Sequence, residues 1–142
     1  MRRAMWGLMG SVLLSTCHGA TEPDVDRQGA YITGPVELTL VFGETVDVPG
    51  TVLSLSLMGV PEDSRCPLDV TCVWEGNAVV EVGLAAGSGP TVPLQMNTSL
   101  DPRSVDWGDV RVTVLALEPA PVSETPIPQR DYQATVRLEP AG

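Results

Sequence analysis

The sequence contains no lysine and a single histidine, His18. Each shortage removes chemistry. Without lysine there is no Schiff-base former and no amine base. His18 directly follows Cys17 in the N-terminal segment. Read as part of a tether, it is not expected to reach a pocket, so a Ser-His-Asp or Cys-His arrangement has no usable base, and no catalytic residue is assigned. A structural zinc site wants about four Cys or His ligands. Beyond Cys17 the chain offers only Cys66, Cys72 and His18, so no metal and no cofactor are expected. The basic residues are all arginine, 8 against 18 acidic side chains, for a formal charge of −10. That balance argues against nucleic acid or an anionic lipid surface as partner. Aromatic residues make up only 4%. Valine, leucine, glycine, proline and threonine are plentiful instead, which favours strands and turns over helices.

The N-terminus carries a targeting pattern. Two arginines, Arg2 and Arg3, precede the apolar run Ala4–Ser15. That run falls short of the roughly 20 residues needed to cross a bilayer. Charge followed by a short apolar run is the layout of a secretory signal. The run ends in Leu14-Ser15-Thr16-Cys17. This resembles the bacterial lipobox, in which a leucine and two small residues precede a lipidated cysteine; Thr16 stands where glycine, alanine or serine is usual. The resemblance implies a signal peptide over 1–16 and a lipid anchor on Cys17. Diacylation would supply the two-chain attachment that one acyl chain does not. Export to the bacterial cell envelope follows, with a secreted soluble protein as the alternative. If Cys17 takes the lipid, Cys66 and Cys72 remain as one pair and no thiol is left over. Residues 17–34 are polar, glycine-containing and acidic, and read as a tether.

From Pro35 onward the pattern has period two. Val36, Leu38, Leu40 and Phe42 share one face, as do Leu53, Leu55 and Leu57. Ala78, Val80, Val82 and Leu84 form a third set. Val110, Val112 and Val114 form another, and Ala134, Val136 and Leu138 the last. Val46–Val48 is a short run, and Thr91–Met96 carries Pro93, which suggests an edge strand. About seven one-faced strands with no helical period predict an all-β domain over 35–142. The expected architecture is a single antiparallel β-sandwich, immunoglobulin-like. The proline-rich stretch Glu118–Asp131 reads as an extended crossover between the last two strands rather than a polyproline docking surface.

The most distinctive segment is Asp63–Ala78, "DSRCPLDVTCVWEGNA". Five residues separate its cysteines, unlike the Cys-x-x-Cys of redox centres, so in an exported chain they read as a structural disulfide. Closing so small a ring is worth roughly 2.4 kcal/mol. Trp74 reads as a cover for the disulfide and the end of the core, with an aromatic binding platform as the alternative. Arg65 is either an anion or hydrogen-bond donor, or the partner of Asp63 or Asp69. Arg65, Asp69, Trp74 and Glu75, with Trp107, make up the candidate binding loop. Trp107, in a loop before a strand, is the aromatic residue expected to be exposed. Asp101, Asp106 and Asp109 beside it could serve calcium or, as paired carboxylates, acid–base chemistry.

The same segment resembles a signature of small bacterial secreted proteins and lipoproteins. That signature is Asp-Ser-Arg-Cys-Pro, a short loop, then Cys-Val-Trp-x-Gly-x-Ala. Here it falls on Asp63, Ser64, Arg65, Cys66, Pro67, Val70, Cys72, Val73, Trp74, Gly76 and Ala78. Glu75 occupies a position where alanine is usual, and the later "DYQATVRLEP" is similar to the family's closing strand. The resemblance implies a small exported domain and carries no activity with it. The expected role is a non-enzymatic binding or structural module meeting an unidentified envelope protein or ligand. Inhibition of a secreted enzyme through the stapled loop, and carbohydrate or calcium binding, are the alternatives.

Overall fold

The computed structural model describes residues 32–123 and 125–142. The signal segment 1–16, Cys17 and most of the expected tether lie outside the described residues. Among the described residues eight strands form in chain order: β1 (Val36–Val41), β2 (Thr45–Asp47), β3 (Leu53–Asp63), β4 (Ala78–Ala86), β5 (Val92–Asn97), β6 (Ser104–Trp107), β7 (Val110–Glu118) and β8 (Gln133–Pro140). They make two four-stranded antiparallel sheets, ordered β1-β8-β7-β6 and β2-β3-β4-β5.

The alternation seen in the sequence explains the layering. Leu53, Leu55 and Leu57 of β3, and Ala78, Val80, Val82 and Leu84 of β4, are fully buried. They face Val110, Val112 and Val114 of β7 and Ala134, Val136 and Leu138 of β8 across the shared core. Intervening positions such as Ser54, Ser56, Thr113 and Arg137 remain partly exposed. Burial of one face per strand supplies the dominant folding force. Pro93 lies on β5 at the end of its sheet, where no ladder needs its missing N–H. What is shared with an immunoglobulin domain is the pair of packed antiparallel sheets. The strand order differs: the sheet β2-β3-β4-β5 is a meander, and in the other sheet β6, β7 and β8 pair in sequence while β1 joins β8 at the edge.

Two features position the loop between β3 and β4. First, β3 runs on to Asp63, with register shifts at Gly59 that leave backbone groups near Val60 without strand partners. The side chain of Gln129 serves instead. Its amide nitrogen donates to the Val60 carbonyl at 2.9 Å, and its oxygen accepts from the Val60 N–H at 2.9 Å. Second, β7 and β8 are paired neighbours, so the proline-rich segment between them is an excursion from a hairpin and not a crossover. Its carbonyls point at the β3–β4 loop, as described below.

Candidate functional site

The segment between β3 and β4 extends their hairpin. Beyond the last paired residues, Asp63 and Ala78, the N–H of Ser64 donates to Asn77 at 2.7 Å and that of Cys66 donates to Glu75 at 2.8 Å. The Cys66–Cys72 disulfide then closes the tip, with Cα atoms 5.9 Å apart. Gly76 makes this narrow approach possible. Its φ is +73°, and a Cβ there would sit 2.0 Å from the Ser64 carbonyl oxygen.

Arg65 braces the loop from below. Its guanidinium makes a two-pronged contact with Asp63, Nη2 to Oδ2 at 2.6 Å and Nε to Oδ1 at 2.8 Å. The same group donates to the carbonyls of Leu117 and Pro119 at the end of β7. Asp63 also accepts from the Tyr132 hydroxyl at 2.9 Å. Both charged side chains are nearly enclosed, at 13% and 12% exposure. Burial alone would raise the Asp63 pKa, but hydrogen bonds from Arg65 and Tyr132 outweigh it and hold the carboxyl below its ordinary value. Burial, and then the bond to the Asp63 carboxylate, push the Tyr132 phenol up to about 12. Arg65 is therefore committed to structure. The expected pairing with Asp63 forms, and four of the five guanidinium N–H donors are engaged within the protein.

Asp69 is committed too. Its carboxylate accepts from the Ser123 N–H at 2.8 Å, and the neighbouring Leu68 N–H donates to Pro121 at 3.0 Å. The Ser123 bond lowers the Asp69 pKa. The proline-rich excursion thus works as a strut, whose carbonyls and N–H groups hold the loop along its length. The four prolines of that segment have no N–H to donate, and the carbonyls of two of them, Pro119 and Pro121, accept from Arg65 and Leu68 of the loop.

The apolar side chains of the loop take no part in this bracing. Val73 and Trp74 are 103% and 81% exposed, and Leu68 is 74% exposed. Val70 also faces outward. Trp74 therefore does not cover the core, contrary to the sequence expectation. Gly76 reverses the chain just before β4, so Trp74 falls outside the inward register that begins at Ala78. Trp107 is corrected in the opposite sense: it lies on β6, pairs with Val110, and packs half-buried against the core. Its neighbour Asp106 is bound by Arg111 at 2.7 Å and 2.9 Å. Among the described residues no group of three or more His, Cys, Asp or Glu is placed to hold a metal ion. Trp107 is therefore not an exposed aromatic beside Asp101, Asp106 and Asp109, the arrangement expected of a carbohydrate or calcium site.

Trp74 and Glu75 instead border an open cleft of ≈ 470 Å³, shared with Ser64, Gly76, Asn77, Ser99 and Leu100. Asn77 fixes its floor. The Asn77 Nδ2 donates to Asn97 at 2.8 Å, and its Oδ1 accepts from the N–H groups of Ser99 at 3.1 Å and Leu100 at 3.4 Å. Asn77 and Leu100 were not foreseen, because 23 residues separate them and neither sits in a periodic pattern. Of the foreseen residues, Trp74 and Glu75 come together here. Arg65 and Asp69 lie behind as braces, and Trp107 belongs to the other sheet. Comparison with known proteins finds no matching family model, no similar curated protein and no similar solved structure.

Proposed function

We propose that this chain is an exported, lipid-anchored binding module of the bacterial cell envelope, with the stapled loop as its recognition surface. The observation that carries the reading is the outward presentation of Leu68, Val70, Val73 and Trp74 from a backbone already fixed. Exposed aliphatic and aromatic side chains grouped on one braced segment mark interaction sites. A fixed loop loses little conformational freedom on binding, which favours affinity. The proposed role is non-catalytic: with no lysine and a single histidine beside Cys17, the usual pairings of nucleophile and base have no members to draw on.

The anchor rests on the lipobox resemblance at Cys17. Metabolic labelling with a palmitate analogue should mark the wild type and not Cys17→Ala; equal labelling would remove the anchor from the proposal. For recognition, a photo-crosslinking amino acid at position 73 in intact cells should capture a discrete protein. Capture should be lost when Trp74→Ser is added. Crosslinks that persist unchanged in that variant would count against the loop as the contact.

Inhibition of a secreted enzyme is the second reading. The bracing of the loop by both the disulfide and the strut favours it, since rigid inserted loops suit inhibition. It requires that the purified protein slow a hydrolase present in the same compartment, and that Val73→Asp abolish the effect.

A further inference from the structure

The cleft beside Trp74 has a chemistry of its own, separate from the apolar tip. Its two large walls are Trp74 and Leu100, both exposed, at 81% and 60%. Among the described residues its only ionisable lining group is the Glu75 carboxylate, and no cationic residue borders it. Among the described residues, no hydrogen bond or ion pair engages that carboxylate. The other polar linings are largely spoken for. The Ser64 hydroxyl donates to the Asn77 carbonyl at 2.9 Å, and the Asn77 side chain is held by Asn97, Ser99 and Leu100. What remains available is an indole surface, an aliphatic wall and one negative charge.

That combination suits a side chain with an apolar stem and a positive head. The stem lies along Leu100 and the indole, as long basic side chains do on apolar surfaces. The head is attracted by the ring and by the carboxylate. The surroundings reinforce the sign. The chain carries −10 overall; Arg65, Arg111, Arg130 and Arg137 are each paired with a carboxylate, and Arg103, three residues after Leu100, does not line the cleft. We propose that the cleft lined by Trp74, Glu75 and Leu100 seats an arginine or lysine side chain of the protein partner. The inference rests on the binding-module reading and specifies what its partner presents.

The test uses isotopically labelled full-length protein titrated with an end-capped Gly-Arg-Gly peptide and followed by NMR. Saturable shifts should appear at the Trp74 indole, Gly76 and Leu100. The citrulline analogue has the shape of arginine without the charge, and should bind about tenfold more weakly. Glu75→Gln should cost the arginine peptide a similar factor while leaving the melting temperature unchanged. Equal binding of the arginine and citrulline peptides overturns the proposal. So does an absence of shifts at the cleft up to the solubility limit of the peptide. The two readings fail separately. A partner crosslinked at position 73 with no preference for arginine in the peptide test removes this inference alone. Arginine-selective binding without any captured protein removes the module reading and leaves the cleft chemistry standing.

Discussion

Arg65→Met tests the claim that Arg65 is a brace and not a ligand-binding donor. Methionine keeps much of the stem and removes the guanidinium. Asp63 then loses its two-pronged partner, and the carbonyls of Leu117 and Pro119 lose their donors. An exposed ion pair is worth about 0–1 kcal/mol, and stripping one partner from a buried pair costs about 3–5 kcal/mol. At 13% and 12% exposure this pair lies nearer the buried limit, yet Asp63 keeps the Tyr132 hydroxyl and some access to water. The expected loss is about 2.5 kcal/mol, or roughly 10 °C in melting temperature for a domain of this size. The pH dependence adds a sign. The folded-state pKa of Asp63 is lowered, so its stabilisation is present above the ordinary carboxylate value and is lost as pH falls through the folded value. The gap between wild type and Arg65→Met should therefore narrow as acid is added below about pH 4. Arg65→Lys should recover less than half of the loss, because a single ammonium cannot serve three separately placed acceptors. Thermal melts of the three proteins across acid pH decide the matter. A drop under about 3 °C, or a gap that stays constant with pH, would refute the reasoning.

Gly76→Ala places a methyl group 2.0 Å from a backbone carbonyl at a φ of +73°, so it should destabilise the domain by about 3 kcal/mol in chemical denaturation. Trp74→Ser should change stability by no more than about 0.5 kcal/mol, because the indole is 81% exposed; a large loss would mean that it packs after all. In a Tyr31→Phe background, ultraviolet titration of the remaining tyrosine should show a midpoint of about 12, and a midpoint near the ordinary 10.0 would contradict its burial against Asp63. Because that pKa is raised on folding, the stability it contributes is present below the ordinary value and is lost as pH rises through about 12. Tyr132→Phe should correspondingly flatten alkaline unfolding over that interval.

The sandwich was legible because each strand buries one face, and period two writes that face directly into the sequence. Leu53, Leu55 and Leu57, and Val110, Val112 and Val114, needed no further information. Strand β6 was not legible. Ser104–Trp107 is too short for a period to show, and it turns into β7 through only Gly108 and Asp109. That hairpin is what draws Trp107 against the core. The two tryptophans were misjudged for one physical reason: whether an indole is buried depends on its register with the nearest strand. Gly76 breaks the register for Trp74, and the hairpin preserves it for Trp107. The pairing of Arg65 with Asp63 was legible, but its bonds to Leu117 and Pro119 and that of Asp69 to Ser123 span 52 to 54 residues, which no local pattern encodes. The disulfide was legible, since cysteine count and spacing constrain it without reference to the fold.

The division of roles within the loop bears on how it can be studied. The disulfide ring covers only positions 66 to 72, so it cannot by itself fix Trp74 or Glu75. Those residues are fixed by the backbone rungs from Ser64 to Asn77 and from Cys66 to Glu75, and by the turn at Gly76. The rungs in turn depend on Asp63 and Arg65 being held against the β7 end. Structural duty therefore falls on Asp63, Arg65 and Asp69 and on backbone groups of the loop, and the outward side chains of Leu68, Val73, Trp74 and Glu75 contribute little to it. Burying Trp74 elsewhere would have gained the free energy of a large apolar side chain. Leaving it in water forgoes that gain, and nothing in the packing of the domain requires it. It follows that substitutions at Val73, Trp74 and Glu75 should separate binding from folding cleanly, while substitutions at Arg65 or Gly76 should damage both together.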